Sequence, residues 1–168
     1  MKKIPSPRAK VVPLSVSSKQ DLEKKRIPLK EVLVMDIMIR KPVTIDITSP
    51  FSMVVELFKE HKIRHLPVIN QQKVLQGIIT QRDLYRITTP RKGLEGELIY
   101  DKATLDRFIL KHVMKKDVVS LSPTDTLLHV IEIMLKKKYG CVPVIDKNGF
   151  LQGIITQIDL LRVFAKYL

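Results

Sequence analysis

Apolar side chains recur along this chain with two different periods, and the alternation of those periods outlines the secondary structure. Leu127, Val130, Ile131, Met134 and Leu135 fall at i, i+3, i+4, i+7 and i+8, one face of an α-helix. Short β-branched runs precede this helix and its earlier counterpart: Val43–Ile47 and Val118–Leu121 read as strands. Ser122 as N-cap, Pro123 at the first helical position and Asp125 at the third mark the start of the second helix. Lys136, Lys137 and Lys138 end it, opposite the negative end of its dipole. In the earlier counterpart the proline is Pro50, displaced by three positions, so that helix begins later or is capped by Asp46. Leu66-Pro67-Val68-Ile69 reads as a strand whose proline points to an edge or a strand start. Asp146-Lys147-Asn148-Gly149 is a strong turn signal, and Asn70-Gln71-Gln72-Lys73 is a weaker one. Val74–Thr80 closes the hairpin, and a helix begins near Thr80. In the later counterpart, Leu160, Leu161, Val163 and Phe164 carry the apolar stripe on.

These elements spell one unit twice. Leu75-Gln76-Gly77-Ile78-Ile79-Thr80-Gln81-Arg82-Asp83-Leu84 returns as Leu151-Gln152-Gly153-Ile154-Ile155-Thr156-Gln157-Ile158-Asp159-Leu160, with Ile158 in place of Arg82 as the single change. The register between copies holds from Met38/Met114 onward through Val43/Val119, Glu56/Glu132, Pro67/Pro143 and Asp83/Asp159. Each unit is β-α-β-β-α, preceded by a short helix at Leu29–Met38 or Leu105–Met114. Three strands and two helices are too few to bury a sheet alone, so the expected fold is α+β, with two units packed as a pseudo-two-fold pair. The expected boundaries are 1–28 for an N-terminal arm, 29–88 for the first unit, 89–104 for a connector with Pro90, Gly93 and Gly96, and 105–168 for the second unit.

Composition narrows the function classes. The chain has 168 residues, 45% apolar, with no Trp and 5% aromatics, so its core is aliphatic. Cys141 is the one cysteine, which excludes an internal disulfide and fits a reducing, cytoplasmic setting. Met1-Lys2-Lys3-Ile4-Pro5 imitates the start of a secretion signal, but Arg8 and Lys10 interrupt it before an apolar stretch forms. No apolar run approaches the roughly 20 residues of a membrane span. Net charge is +13, and residues 1–30 carry nine basic side chains against Asp21 and Glu23. With Pro5, Pro7, Pro13 and the serines near Ser15, the first twenty residues read as a mobile basic arm. That arm either solubilises the chain or meets an anionic partner such as nucleic acid.

Catalytic signatures are missing. His61, His65, His112 and His129 have no metal-ligand spacing with Cys141 or a carboxylate. There is no Gly-x-Gly-x-x-Gly, no phosphate loop and no nucleophile elbow. The aromatics do not interleave with basic residues as base-stacking platforms would.

The repeated Thr-x-x-Asp remains. A helix start offers free N–H groups and a positive dipole end to phosphate, and an ionised carboxylate can accept from both hydroxyls of a ribose. Thr80 with Asp83, and Thr156 with Asp159, place a hydroxyl and a carboxylate at such a start. The same spacing is also a capping box, and the two roles can coexist.

The duplicated Gly-Ile-Ile-Thr-x-x-Asp, each time downstream of Leu/Val-Pro-Val-Ile, resembles the cystathionine-β-synthase (CBS) domain, a pair of which is called a Bateman module. The resemblance covers residues from about 31 to 168. It implies a regulatory module that senses an adenine nucleotide (AMP, ADP or ATP) or an adenosyl compound such as S-adenosylmethionine between paired units, with no catalysis and no cofactor of its own. It implies a homodimer acting on an unknown regulated protein. Carried onto this chain, Asp83 and Asp159 would accept from ribose hydroxyls, Thr80 and Thr156 would contact ribose or phosphate, and the segments at Val43, Ile45, Val119 and Leu121 would flank the base.

The copies differ ahead of the proline. Lys62-Ile63-Arg64-His65-Leu66-Pro67 resembles, with its basic pair in reversed order, the His-Arg-Leu-Pro-Val segments of the gamma subunit of AMP-activated protein kinase. Its counterpart, Lys138-Tyr139-Gly140-Cys141-Val142-Pro143, offers no charge at Gly140 and Cys141. Arg64, His65 and Arg82 can meet phosphate, so the Asp83 side is expected to favour a charged nucleotide and the Asp159 side a weaker, neutral or absent ligand. The alternative is a nucleic-acid or polyanion binder that uses the basic arm, with the CBS pair as a dimerisation scaffold.

Overall fold

The computed structural model describes residues 29–166; the basic arm expected over 1–28 lies outside them. The first repeat consists of β2 (Ile45–Asp46), α2 (Ser52–Glu60), β3 (His65–Ile69), β4 (Leu75–Thr80) and α3 (Gln81–Ile87). It is preceded by α1 (Val34–Ile37) and β1 (Ile39–Arg40). The connector holds β5 (Arg91–Lys92) and β6 (Leu98–Ile99), followed by α4 (Lys102–Leu105) and α5 (Leu110–Val113). The second repeat continues with α6 (Leu127–Lys137), β7 (Cys141–Ile145), β8 (Leu151–Thr156) and α7 (Gln157–Ala165).

Each repeat builds a sheet around its hairpin. β3 pairs antiparallel with β4 through Leu66↔Ile79 and Val68↔Gly77, and β7 pairs with β8 through Val142↔Ile155 and Val144↔Gly153. Both hairpins turn alike. The Asn70 side chain accepts from the Gln72 and Val74 N–H groups, as Asp146 accepts from Asn148 and Phe150. The left-handed position falls on Gly149 in one turn and on Lys73, at φ 62°, in the other.

Sequence order and packing order differ at the short leading segments. Val34 of α1 is buried in the core of the second repeat, among Leu127, Val130 and Val142. Leu105, Leu110 and Met114 are buried in the core of the first, with Phe51, Phe58 and Ile79. Each leader then adds backbone pairing to the other repeat: Ile39 lies opposite Ile154 in β8, and Lys115 exchanges both hydrogen bonds with Ile78 of β4, at 2.9 and 3.0 Å. Gly77 and Gly153 make room for this crossing. A Cβ on Gly77 would sit 2.6 Å from the Lys115 carbonyl oxygen, and one on Gly153 2.8 Å from that of Ile39. The repeats also meet directly. Ile78, Ile154 and Cys141 form a small buried cluster, and the hairpin ends join through Leu75 N–H to Gly149 C=O and Leu151 N–H to Lys73 C=O.

Several sequence expectations are corrected. Ser122, Pro123 and Asp125 do not start α6. The Asp125 carboxylate accepts the Ser122 N–H at 2.7 Å in a turn, and the cap is Thr126, which accepts from His129 N–H. The incoming leader decides this, because Val34 and Met35 donate to the carbonyls of Asp125 and Pro123. Asp46 does not cap α2; it accepts from Thr48, and the helix begins at Ser52 without a side-chain cap. Val118–Leu121 contributes one parallel bridge, Leu121↔Val144, rather than a strand. β3 is the central strand of its sheet, not an edge. Proline is tolerated there because pairing on the side toward the first strand starts late: in the second repeat the Pro143 carbonyl meets the first paired residue, Leu121, so the missing donor lies beyond the ladder.

Candidate functional site

The two helix starts are built alike. In the first repeat the Thr80 hydroxyl donates to Asp83 Oδ2 at 2.6 Å and the Thr80 N–H donates to the same oxygen at 2.9 Å, while Asp83 N–H donates back to Thr80 Oγ1 at 3.3 Å. In the second the Thr156–Asp159 distances are 2.6, 2.9 and 3.4 Å. Both are complete capping boxes, and in both the box uses only one carboxylate oxygen.

The second oxygen separates the repeats. Asp159 Oδ1 accepts Arg162 Nη1 at 2.9 Å, and its side chain is 6% exposed. Asp83 Oδ1 stands 3.8 Å from Arg86 Nη1, and its side chain is 23% exposed. Asp83 thus keeps an oxygen that can take a hydroxyl, whereas Asp159 has both engaged. Neither arginine figured among the residues expected at the site, although Asp-x-x-Arg places both groups on one helix face and is legible at both positions.

Strand pairing brings the basic residues to the first tip. His65 lies opposite Thr80 across the hairpin. The Gln81 N–H donates to the Arg64 carbonyl at 3.1 Å, and the Gln81 side chain donates to that of Ile63 at 3.2 Å. Arg64 and Arg82 are exposed and His65 is half-buried. Burial, then the positive charges of Arg64 and Arg82, hold the His65 imidazole below its ordinary pKa, with Asp83 pulling the other way. Those four side chains therefore share one local field. His65 also reaches the other repeat: a Cβ on Gly140 would lie 2.9 Å from its Nε2. At the corresponding place in the second repeat Cys141 is buried among apolar neighbours, which push its thiol up to about 12.

The residues expected around the base divide by depth. Ile45 and Leu121, 3% and 1% exposed, are core residues of the first and second repeats, while Val43 and Val119 are half-buried. Two cavities, of about 200 and 90 Å³, lie on the first repeat beside the connector hairpin, and neither is lined by Thr80, Asp83, Thr156 or Asp159. Among the described residues, no helix is long and apolar enough to cross a membrane.

The family model of the CBS domain matches residues 34–88 and again 110–166. The chain belongs to the CBS domain family. A CBS domain-containing protein of Dictyostelium discoideum is 30% identical over 139 residues, covering 82% of this chain and 94% of that protein. A homoserine O-acetyltransferase of Methanobrevibacter ruminantium is 29% identical over 139 residues, but the chain spans only 25% of its length. Among solved structures, the CBS domain pair of protein MJ0100, in complex with 5′-methylthioadenosine and S-adenosyl-L-methionine, is 25% identical. It superposes with a TM-score of 0.64 over 79% of this chain and 99% of that one. The α+β architecture, with two repeats facing each other, is thus that of CBS domain pairs.

Proposed function

We propose that this protein is a regulatory module that binds an adenine nucleotide or adenosyl compound at the first-repeat helix tip and passes the signal to a partner protein without catalysing a reaction. The observation that carries this reading is Asp83 Oδ1, which the capping box leaves unused and which the exposed Arg86 guanidinium approaches only to 3.8 Å. The Asp83 side chain, 23% exposed, stands at a helix start near His65, on whose charge Arg64 and Arg82 also act. A ribose would place its hydroxyls on that oxygen, and the 5′-phosphate would meet the basic side chains and the Thr80 tip. The adenosyl ligands in the MJ0100 CBS pair support the ligand class. The contact of His65 with Gly140 offers a route by which a bound phosphate would alter the fit between repeats.

Titration of the protein with AMP, ADP, ATP and S-adenosylmethionine in a calorimeter tests the proposal. Binding in the micromolar range is expected for at least one, and Asp83→Ala should weaken it about 10- to 100-fold, the loss of charge-assisted hydrogen bonds. If all four ligands fail to bind below millimolar, the reading is wrong. The net charge of +13 supports a second reading, polyanion binding. Its mark would be a steep fall in affinity with salt that disappears when residues 1–28 are deleted.

A further inference from the structure

We propose that two copies of this chain pair antiparallel, first repeat against second, with the connector hairpin of each lying on the bare α6–α7 face of the other. The repeats present the same helical face differently. On the second, Leu135 of α6 and Ile158 and Leu161 of α7 are 74%, 43% and 61% exposed. Their counterparts on the first are Lys59, Arg82 and Tyr85. Lys59 and Tyr85 flank one groove between α2 and α3, so Leu135 and Leu161 flank the matching groove between α6 and α7. The first groove is occupied by Leu98 and Tyr100 of the hairpin segment. The same hairpin turns other apolar side chains outward: Ile99 is 48% exposed, and Leu94, at the turn, is wholly exposed. Single exposed apolar residues are ordinary. Here one chain carries an apolar projection and an apolar recess, the self-complementary set that a two-fold dimer requires.

Spacing and charge fix the direction of pairing. Pairing like with like would put two hairpin layers between the first repeats and none between the second, so the two halves could not close together. Pairing first with second leaves one layer in each half, and each contact is made twice. Charge agrees. Lys136, Lys137 and Lys138 follow Leu135, and Arg162 beside Leu161 is held by Asp159 Oδ1 at 2.9 Å. Glu132 is the one other acidic residue of α6 and α7, so the bare face has a basic rim, and two such faces would repel each other. The hairpin turn instead carries Glu95 and Glu97 beside Leu94, with Arg91 and Lys92 set back on β5. The Glu97 carboxylate accepts the Glu95 N–H at 3.0 Å, which holds both acidic residues at the turn. An apolar tip with two carboxylates therefore meets an apolar face with three ammonium groups, the arrangement that selects one orientation over the other.

Sedimentation velocity on the full chain tests the pairing, and a dimer with a Kd of about micromolar or tighter is expected. Leu94→Asp and Leu135→Gln, both at exposed positions that the fold does not depend on, should each raise that Kd at least about tenfold. Glu95→Lys with Glu97→Lys should raise it severalfold, and adding Lys136→Glu with Lys137→Glu in the same chain should restore most of the loss. Cysteine pairing reads the direction. Cys141 is buried, with its thiol pushed up to about 12, and stays out of the reaction. On mild oxidation a mixture of Leu94→Cys and Leu135→Cys chains should cross-link, whereas Leu135→Cys chains alone should not. Cross-linking of Leu135→Cys to itself would place bare face on bare face. A chain that stays monomeric at about 0.1 mM, or a Kd unchanged in both Leu94→Asp and Leu135→Gln, would mean that another protein or residues 1–28 cover the face. Each of these three results overturns the proposal.

Discussion

The two helix tips hold the same capping geometry to within 0.1 Å, yet the charged side chains ahead of the proline and at the second helical position have diverged. Around Asp83 stand Arg64, His65 and Arg82; around Asp159 the same positions are Gly140, Cys141 and Ile158, and Arg162 takes the second carboxylate oxygen. The duplicated backbone needs a threonine and an aspartate to start each helix, so those residues persist whatever else the tip does. It needs no charge ahead of the proline, and there the copies part. A shared motif therefore identifies the fold, while the positions where the copies disagree carry the information about ligands.

The sharpest test of the shared half is the glycine pair. Both crossings bring a backbone carbonyl to within 2.8 Å of where a Cβ would stand, and a carbonyl cannot move aside as a side-chain end can. Gly77→Ala and Gly153→Ala should each destabilise the protein by about 1–3 kcal/mol in urea denaturation. Near-equal losses would establish that the crossings are equivalent supports. If either alanine is tolerated, the two leaders are not interchangeable, and the symmetry of the pair is only approximate where it matters for stability.

The glycines also show how far sequence reading reaches. The duplicated hairpin and its helix start were legible because every signal there is local: a turn with Asp146 and Gly149, an alternation of buried residues, and Thr80 three positions before Asp83. Which repeat a leader joins was not legible, because α1 and α5 are four residues each and their apolar side chains fit either core by composition. The same tertiary contact defeated the expected cap. Ser122-Pro123-Thr124-Asp125 satisfies each local rule for a helix start, but the leader binds the carbonyls of Pro123 and Asp125 and holds the segment as a turn. The connector hairpin leaves no signal in the sequence because β5 and β6 are two residues each, too short for any alternation to register. At the site, the residue types were legible and the state of the second carboxylate oxygen was not, since a difference between 2.9 and 3.8 Å depends on how each arginine folds back.

A smaller effect separates the two aspartates. Replacing either by alanine removes one partner of a capping box and should lower stability by about 1 kcal/mol. Asp159→Ala loses the Arg162 contact as well, but that arginine is 69% exposed, so the pair adds less than about 1 kcal/mol. Stability should thus change nearly equally in the two variants, whereas nucleotide affinity should fall only with Asp83→Ala. Equal affinity losses in both would mean that Arg162 yields its oxygen to ligand and that the tips are functionally alike.

The smallest expected effect is the most specific to the diverged half. His65 has its folded pKa below the ordinary 6.5, chiefly through burial and then through Arg64 and Arg82. As pH falls through 6.5 the unfolded chain takes up a proton that the folded chain still refuses, so stability declines with falling pH across the window below 6.5 and is fully present above it. His65→Gln lacks this slope, and urea denaturation at about pH 7.5 and 5.5 should show the wild type losing more than the variant. A bound phosphate reverses the sign. It favours the imidazolium, so the advantage of the wild type over His65→Gln in AMP affinity should grow as pH falls, and no such trend should appear with adenosine. Comparison with the variant cancels the titration of the phosphate itself. Parallel pH dependences for AMP in the two proteins would remove His65 from the phosphate side and leave Arg64 and Arg82 as the basic groups that make the first tip different from the second.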